Sequence, residues 1–277
     1  MKKANVIVLS GQSNAVGVGH VKCLAKHFSA EKIDQYRRGY NNVKMYYFSH
    51  DKKSDGFENV TLNQAELTKD TFGPEVGMAE YFSEVRPQEE VFIIKCAFGG
   101  KSLYRDFLSP SGGEEYVAGA YANPDMTGGA NGDQVGWAYN ELIKITHEGL
   151  ELLKAQGYDP KIKAFCWMQG ESDATYEEHT QKYAQRYGAM LDDFNTEFAS
   201  YLEECIYVDA GISQRWTYWQ EMNEVKAKFA ADHGNCRYID TIAAGLTTCY
   251  EPEEEPDTAH YDSDCTIRLG RMFAENI

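Results

Sequence analysis

Asn5-Val6-Ile7-Val8-Leu9-Ser10-Gly11-Gln12-Ser13-Asn14 starts as a short apolar run and ends in a cluster of small polar residues. An apolar run of that length, closed by turn-forming residues, reads as a strand covered on both faces. Further candidate strands lie at 43–48, 91–97, 162–168, 205–210 and 237–239, several of them near-continuously apolar. Between these runs lie longer segments of helical period, at 74–85, 137–153, 176–201, 219–231 and 265–275. Pro74, just after Gly73, suits the first position of its helix. Short apolar strands alternating with amphipathic helices predict an α/β fold with helices on both faces of a mostly parallel sheet.

The 277 residues, 43% of them hydrophobic, are enough to remove roughly three-quarters of the unfolded surface from water. Neither an internal repeat nor a linker interrupts them, so residues 1–277 are expected to form one domain. Lys and Arg number 27 against 43 Asp and Glu, a net charge of -16. Such a field repels phosphodiester backbones and anionic lipid surfaces, so a nucleic-acid partner is not expected. No apolar run approaches the ~18 residues a membrane span needs. Met1-Lys2-Lys3 followed by an apolar run superficially resembles a leader, but it lacks the length and the cleavage pattern of one. Cleavage there would also remove Gly11 to Asn14, so the expectation is a chain beginning at Met1 and working in the cytoplasm; a trimmed, secreted chain would look the same. Seven cysteines without a C-x-x-C pair indicate neither a disulfide framework nor a zinc site, and buried free thiols are expected.

Two stretches stand outside the alternation. Residues 98–135, with Gly112-Gly113 and Gly128-Gly129, read as a long loop over one end of the sheet. Residues 251–257 form an acidic, turn-rich run, of which Glu253 to Glu255 read as a solvated face.

Four segments carry possible chemistry. Gly11-Gln12-Ser13-Asn14 lies at the carboxyl end of the first strand, where open α/β sheets bind ligands, and a serine near a helix start has amide donors for an oxyanion. Asp257-Thr258-Ala259-His260 sets an acid three residues before a histidine, so that the acid can orient the imidazole as a general base. Gly99 and Gly100, in Lys95-Cys96-Ala97-Phe98-Gly99-Gly100-Lys101-Ser102-Leu103, would let backbone amides approach a substrate. In Trp167-Met168-Gln169-Gly170-Glu171-Ser172-Asp173, Gln169 offers a side-chain N–H donor. Each segment alone reads equally well as a turn or a helix start.

Together, and in this order, the four segments resemble the SGNH-hydrolase superfamily, specifically its carbohydrate acetylesterase branch of acetyl xylan esterases and sialate O-acetylesterase-like proteins. The blocks are G-Q-S-N, K-x-A-x-G-G-x-S-L, W-x-Q-G-E-x-D and D-x-x-H, matched from Gly11 to His260. The resemblance implies a three-layer α/β/α sandwich of flavodoxin-like type with a central, mostly parallel sheet of about five strands. It implies a serine carbohydrate esterase that removes O-acetyl groups through an acetyl-serine. Ser13 is then the nucleophile, His260 the base and acid, and Asp257 the orienting carboxylate, with Glu171 a rival for that role. The Ser13 and Gly100 amides and the Gln169 side chain would line the oxyanion hole, with Gly99 as the neighbour of Gly100. Gln12, Asn14 and Gly99 would lie against the substrate. Gln169 stands where the superfamily usually has asparagine. Ala15 stands where methionine is common, and Lys101 where a small hydroxyl residue is common.

On the substrate side, the cluster Arg215-Trp216-Thr217-Tyr218-Trp219 offers Trp216 as a platform for a sugar ring. The negative field ranks neutral acetylated xylan or xylo-oligosaccharides above anionic sialic acids, unless Lys101 or Arg105 compensates. This chemistry requires no cofactor and no metal, and Asp262-Ser263-Asp264 lacks the glycine and distal glutamate of a calcium loop. Rival readings are a catalytically silent carbohydrate-binding protein on the same fold and a phosphate loop at Gly17-Val18-Gly19. The latter lacks the third glycine and the Lys-Ser/Thr ending.

Overall fold

Each apolar run predicted to be extended is a strand of one sheet. The computed structural model describes residues 2–66, 70–121 and 134–277. Its strands are β1 (Lys2–Gly11), β2 (Gly19–His20), β3 (Val43–Ser49), β4 (Lys52–Lys53), β5 (Glu58–Asn59), β6 (Thr71–Phe72), β7 (Val91–Ala97), β8 (Tyr158–Met168), β9 (Leu202–Ala210) and β10 (Cys236–Ile239). Its helices are α1 (Ser13–Val16), α2 (Ala30–Arg38), α3 (Glu75–Val85), α4 (Trp137–Ala155), α5 (Glu177–Glu197), α6 (Trp219–Asp232) and α7 (Ser263–Glu275).

The sheet runs β10-β9-β8-β1-β7-β3-β4, with β5 also paired to β3. All neighbours from β10 to β3 are parallel, while β4 and β5 are antiparallel to β3. Six parallel strands and two short antiparallel ones thus replace the expected five or so. β2 and β6 form a separate antiparallel pair.

Register explains the layers. Val8, Ile94 and Phe165 are partners across β1, β7 and β8, so they point to one face. There Ile94 lies under Gly149 of α4, and Phe165 meets Phe194 of α5 edge-on at 5.0 Å. Lys95, one residue beyond Ile94, points to the other face and meets Glu75 of α3, which packs against α7. The result is a three-layer α/β/α sandwich.

Three details depart from the sequence pattern. No element is expected over 30–38, yet α2 forms there, capped by Ser29 Oγ, which accepts the N–H of Lys32 at 3.2 Å. The helix expected to reach residue 201 ends at Glu197. The loop from 98 carries no helix or strand as far as 121, but it is packed rather than draped: Leu103 and Phe107 are fully buried. Gly128-Gly129 lies outside the described residues. All seven cysteines are free thiols, and only Cys249 is exposed. Glu253 and Glu254 are exposed and pair with Lys26 and Lys22, whereas Glu251 is buried and accepts the N–H of Ser263 at 2.7 Å. No described helix is long and apolar enough to cross a membrane.

β1 sits between β7 and β8, so successive crossovers from it go first to one side of the sheet and then to the other. The carboxyl end of β1 is therefore the switch point, where such sheets open a crevice.

Candidate active site

β1 ends at Gly11, with φ of 138° and so little room beside β8 that a Cβ would lie 2.0 Å from the Met168 carbonyl oxygen. Only glycine meets both conditions. Gln12 then donates its N–H to Met168 O at 2.9 Å, and the chain turns into α1, a single turn beginning at Ser13. Lys95 Nζ holds the far end of that turn, donating to Val16 O at 2.7 Å and to Glu75 Oε2 at 2.8 Å. Lys95 and Glu75 are both wholly buried; burial pushes the lysine pKa down and the carboxylate opposes this.

The loop before α7 brings the histidine to the serine. His260 Nε2 lies 2.8 Å from Ser13 Oγ, and His260 Nδ1 lies 2.6 Å from Asp257 Oδ2. Asp257 Oδ1 accepts the N–H groups of Ala259 at 2.8 Å and His260 at 3.3 Å, which fixes the carboxylate within its own turn. The hydrogen bond with His260 holds the Asp257 carboxyl down at about 2. An ionised carboxylate can only accept, so Nδ1 carries the proton and Nε2 presents its lone pair to the serine hydroxyl.

Glu171, the rival acid, is not at the histidine. It is fully buried, and its Oε1 accepts from Asn14 Nδ2 at 2.7 Å. Asn14 Oδ1 in turn accepts the N–H of Tyr261 at 3.1 Å, so Asn14 lies inside the scaffold rather than against a substrate. Gln12 is likewise turned inward, its Oε1 accepting from Ser172 N at 3.1 Å and Gln169 Nε2 at 3.3 Å.

Gln169 also departs from the expected arrangement. Its side chain is fully buried, and Nε2 lies 3.1 Å from Lys101 O and 2.5 Å from Asp173 Oδ2. With those acceptors and Gln12 around it, the amide braces the loop after β7 and has no N–H left to turn toward an oxyanion. Asp173 completes the brace by accepting the N–H groups of Leu103 and Tyr104, each at 2.8 Å. Burial raises the Asp173 carboxyl to about 6. A second buried lysine, Lys226, lies beneath the same turn, 2.9 Å from Asp209 and bonded to the carbonyls of Gln169 and Ala210.

Gly99 and Gly100 follow β7 on the other side of Ser13. Gly100 has φ of 68° and faces open space, while a Cβ on Gly99 would come within 3.9 Å of Ser13 Cβ. No acceptor among the described residues takes the N–H of Ser13 or of Gly100. Trp216 is half-buried and packed against the core, and its neighbour Arg215 donates from Nε to Thr258 Oγ1 at 3.2 Å. Gly17, the start of the considered phosphate loop, is packed against the backbone of Gly73.

The sequence reading misses His50. It leaves β3 with φ of 54°, donates its N–H to Ala97 O at 2.8 Å and lays its ring beside Gly99. Ser49-His50-Asp51 has no motif to mark it; only the position of β3 beside β7 does.

The profile of the family described as carbohydrate esterase, sialic acid-specific acetylesterase, matches residues 3–277. Among solved structures, a protein of Arabidopsis thaliana is 17% identical with a TM-score of 0.66, over 99% of this chain and 97% of that one. NanS is 18% identical with a TM-score of 0.63, over 99% and 96%. XAC1771, a carbohydrate acetylesterase from Xanthomonas citri, is 14% identical with a TM-score of 0.60, over 98% of this chain and 55% of that one. No curated protein matches. The chain belongs to this carbohydrate esterase family and is a carboxylic ester hydrolase.

Proposed function

From that membership, we propose that the chain removes O-acetyl groups from acetylated saccharides through an acetyl-serine formed on Ser13. The observation that carries this reading is the continuous hydrogen-bond chain from Ser13 through His260 to Asp257, at 2.8 and 2.6 Å. His260 Nε2 takes the hydroxyl proton as Ser13 Oγ attacks the acetyl carbonyl, and Asp257 stabilises the resulting imidazolium. The oxyanion falls to the open N–H groups of Ser13 and Gly100, each worth roughly 10²-fold to 10³-fold in rate. Collapse of the tetrahedral intermediate breaks the bond to the sugar oxygen, which leaves with the proton from His260. Water then attacks the acetyl-serine, giving its proton to His260, and acetate departs as Ser13 recovers the proton.

For the sugar, two observations pull apart. The net charge of -16 favours neutral acetylated xylose units. Arg215, exposed and hung on Thr258 beside Asp257, supplies a local guanidinium of the kind that takes a carboxylate. The second observation is local and the family description agrees with it, so O-acetylated sialic acid is the substrate we put first, with acetylated xylo-oligosaccharides as the comparator.

The test is acetate release from both substrates by the wild type and by Ser13→Ala. Release that vanishes in the variant, with the fold intact, is expected. Undiminished release would remove Ser13 from the reaction.

A further inference from the structure

The geometry points to the space between the His50 imidazole and Ser13, above Gly99, as the seat of the acetyl methyl group, with His50 as the wall that sets acyl length. This inference rests on Ser13 being the nucleophile.

The two histidines stand on opposite flanks of Ser13. The His260 loop is anchored toward β8 and β9, through Asn14 to Glu171 and through the Tyr261 hydroxyl, which donates to Gly211 O at 3.1 Å. His50 comes from β3, which lies beyond β7 on the other side of β1.

Chemistry assigns the substituents of the tetrahedral carbon. One is Ser13 Oγ. The sugar oxygen receives its proton from His260, so it must lie on that histidine's side. The oxyanion turns to the N–H groups of Ser13 and Gly100. The methyl group takes the direction that is left, away from His260 and toward Gly99 and His50.

Gly99 lies where His50 and Ser13 approach each other. A carbon attached to Gly99 Cα would sit 3.5 Å from His50 Nδ1, 3.8 Å from His50 Cε1 and 3.9 Å from Ser13 Cβ. All three are ordinary van der Waals separations, so the imidazole, the nucleophile and the bare face of Gly99 border one space, and a side chain at position 99 would take a methyl group's volume out of it. Gly100, by contrast, opens onto nothing within 4 Å.

His50 is suited to act as a fixed wall. Its φ of 54° is a left-handed conformation that a non-glycine residue adopts at a cost, held here by the bond from its N–H to Ala97 O. No hydrogen bond among the described residues occupies its ring nitrogens, and the ring lies beside the bare face of Gly99.

Two variants test the assignment with p-nitrophenyl acetate and butyrate. His50→Gly keeps the left-handed backbone and removes the wall; the butyrate-to-acetate ratio of kcat/KM should rise roughly tenfold or more, since a methylene in a tight pocket discriminates by that order. Gly99→Ala adds a methyl group to the floor of the proposed seat without a clash; it should keep the thermal midpoint of the wild type and lose roughly 10²-fold in kcat/KM on acetate. An unchanged chain-length ratio in His50→Gly, or wild-type acetate turnover by Gly99→Ala, overturns the inference while leaving Ser13 as nucleophile. Activity retained by Ser13→Ala overturns the reading beneath it instead.

Discussion

Asn14 Oδ1 accepts the backbone N–H of Tyr261 at 3.1 Å, so the residue after the serine holds the residue after the histidine. The same side chain donates to the buried Glu171 carboxylate at 2.7 Å. One amide thereby sets the separation of Ser13 from His260, two residues 247 positions apart in the chain.

Asn14→Ala should therefore lower kcat with little change in KM, because it disturbs the alignment of Ser13 and His260 and no substrate contact. Leaving Glu171 without its donor should also cost about 1–3 kcal/mol of stability. Steady-state kinetics with a urea titration checks both; an undiminished kcat would show that the amide does not align the pair.

Asp257→Asn should cost about 10³-fold to 10⁴-fold in kcat, since an amide in that place no longer enforces the imidazole tautomer. Glu171→Gln keeps an oxygen for Asn14 and should cost under about tenfold. Measured side by side at equal fold stability, the reverse order would make Glu171 the partner of His260.

Two of the perturbed acids, Asp257 and Asp173, predict opposite pH dependences of stability. The Asp257 carboxyl is held at about 2, below its ordinary value, so its contribution is present above about pH 4 and is lost as pH falls toward 2. Asp173 is raised to about 6, so the unfolded chain ionises before the folded one, and stability is withdrawn as pH rises from about 4 to 6. In Asp173→Asn that decline should shrink, by on the order of 2 kcal/mol between pH 4 and pH 6.5. Parallel wild-type and variant curves would show that Asp173 does not titrate there. Asp257 stays ionised throughout this window, so the acid limb of the kcat/KM profile should not be its titration.

Lys95→Met removes one half of a fully buried ion pair and leaves the buried Glu75 without its cation, with only the N–H of Gly73 still bonded to it, which should cost about 3–5 kcal/mol. Lys95→Met with Glu75→Gln should recover much of that loss, because the uncompensated charge is gone. Additive losses in the urea midpoints of the two single variants and the double variant would rule out direct coupling between the pair.

The amino-acid sequence alone determined the layer architecture. Strands covered on both faces must be apolar nearly throughout, so β1, β3, β7, β8 and β9 each announce themselves as short apolar runs, whereas the edge strand β10, with its exposed Arg237, shows only a short stretch of strand-forming residues. It also put Ser13, Gly99-Gly100 and Gln169 to Asp173 just past the carboxyl ends of β1, β7 and β8, where a parallel sheet gathers its loops. The short pairs β2–β6 and β3–β4 are illegible, since two residues carry no periodicity.

Only the tertiary structure decided which polar groups meet. Asn14, Gln12, Gln169 and Glu171 have the donors and acceptors of an active site, but each is turned into the scaffold by partners on other loops. Asp257 rather than Glu171 faces His260, and His50, without any motif, stands beside Gly99 because β3 pairs with β7. A residue's type states which hydrogen bonds it can make; the direction of its side chain depends on strand order and loop packing, and these follow from contacts between segments far apart in the chain.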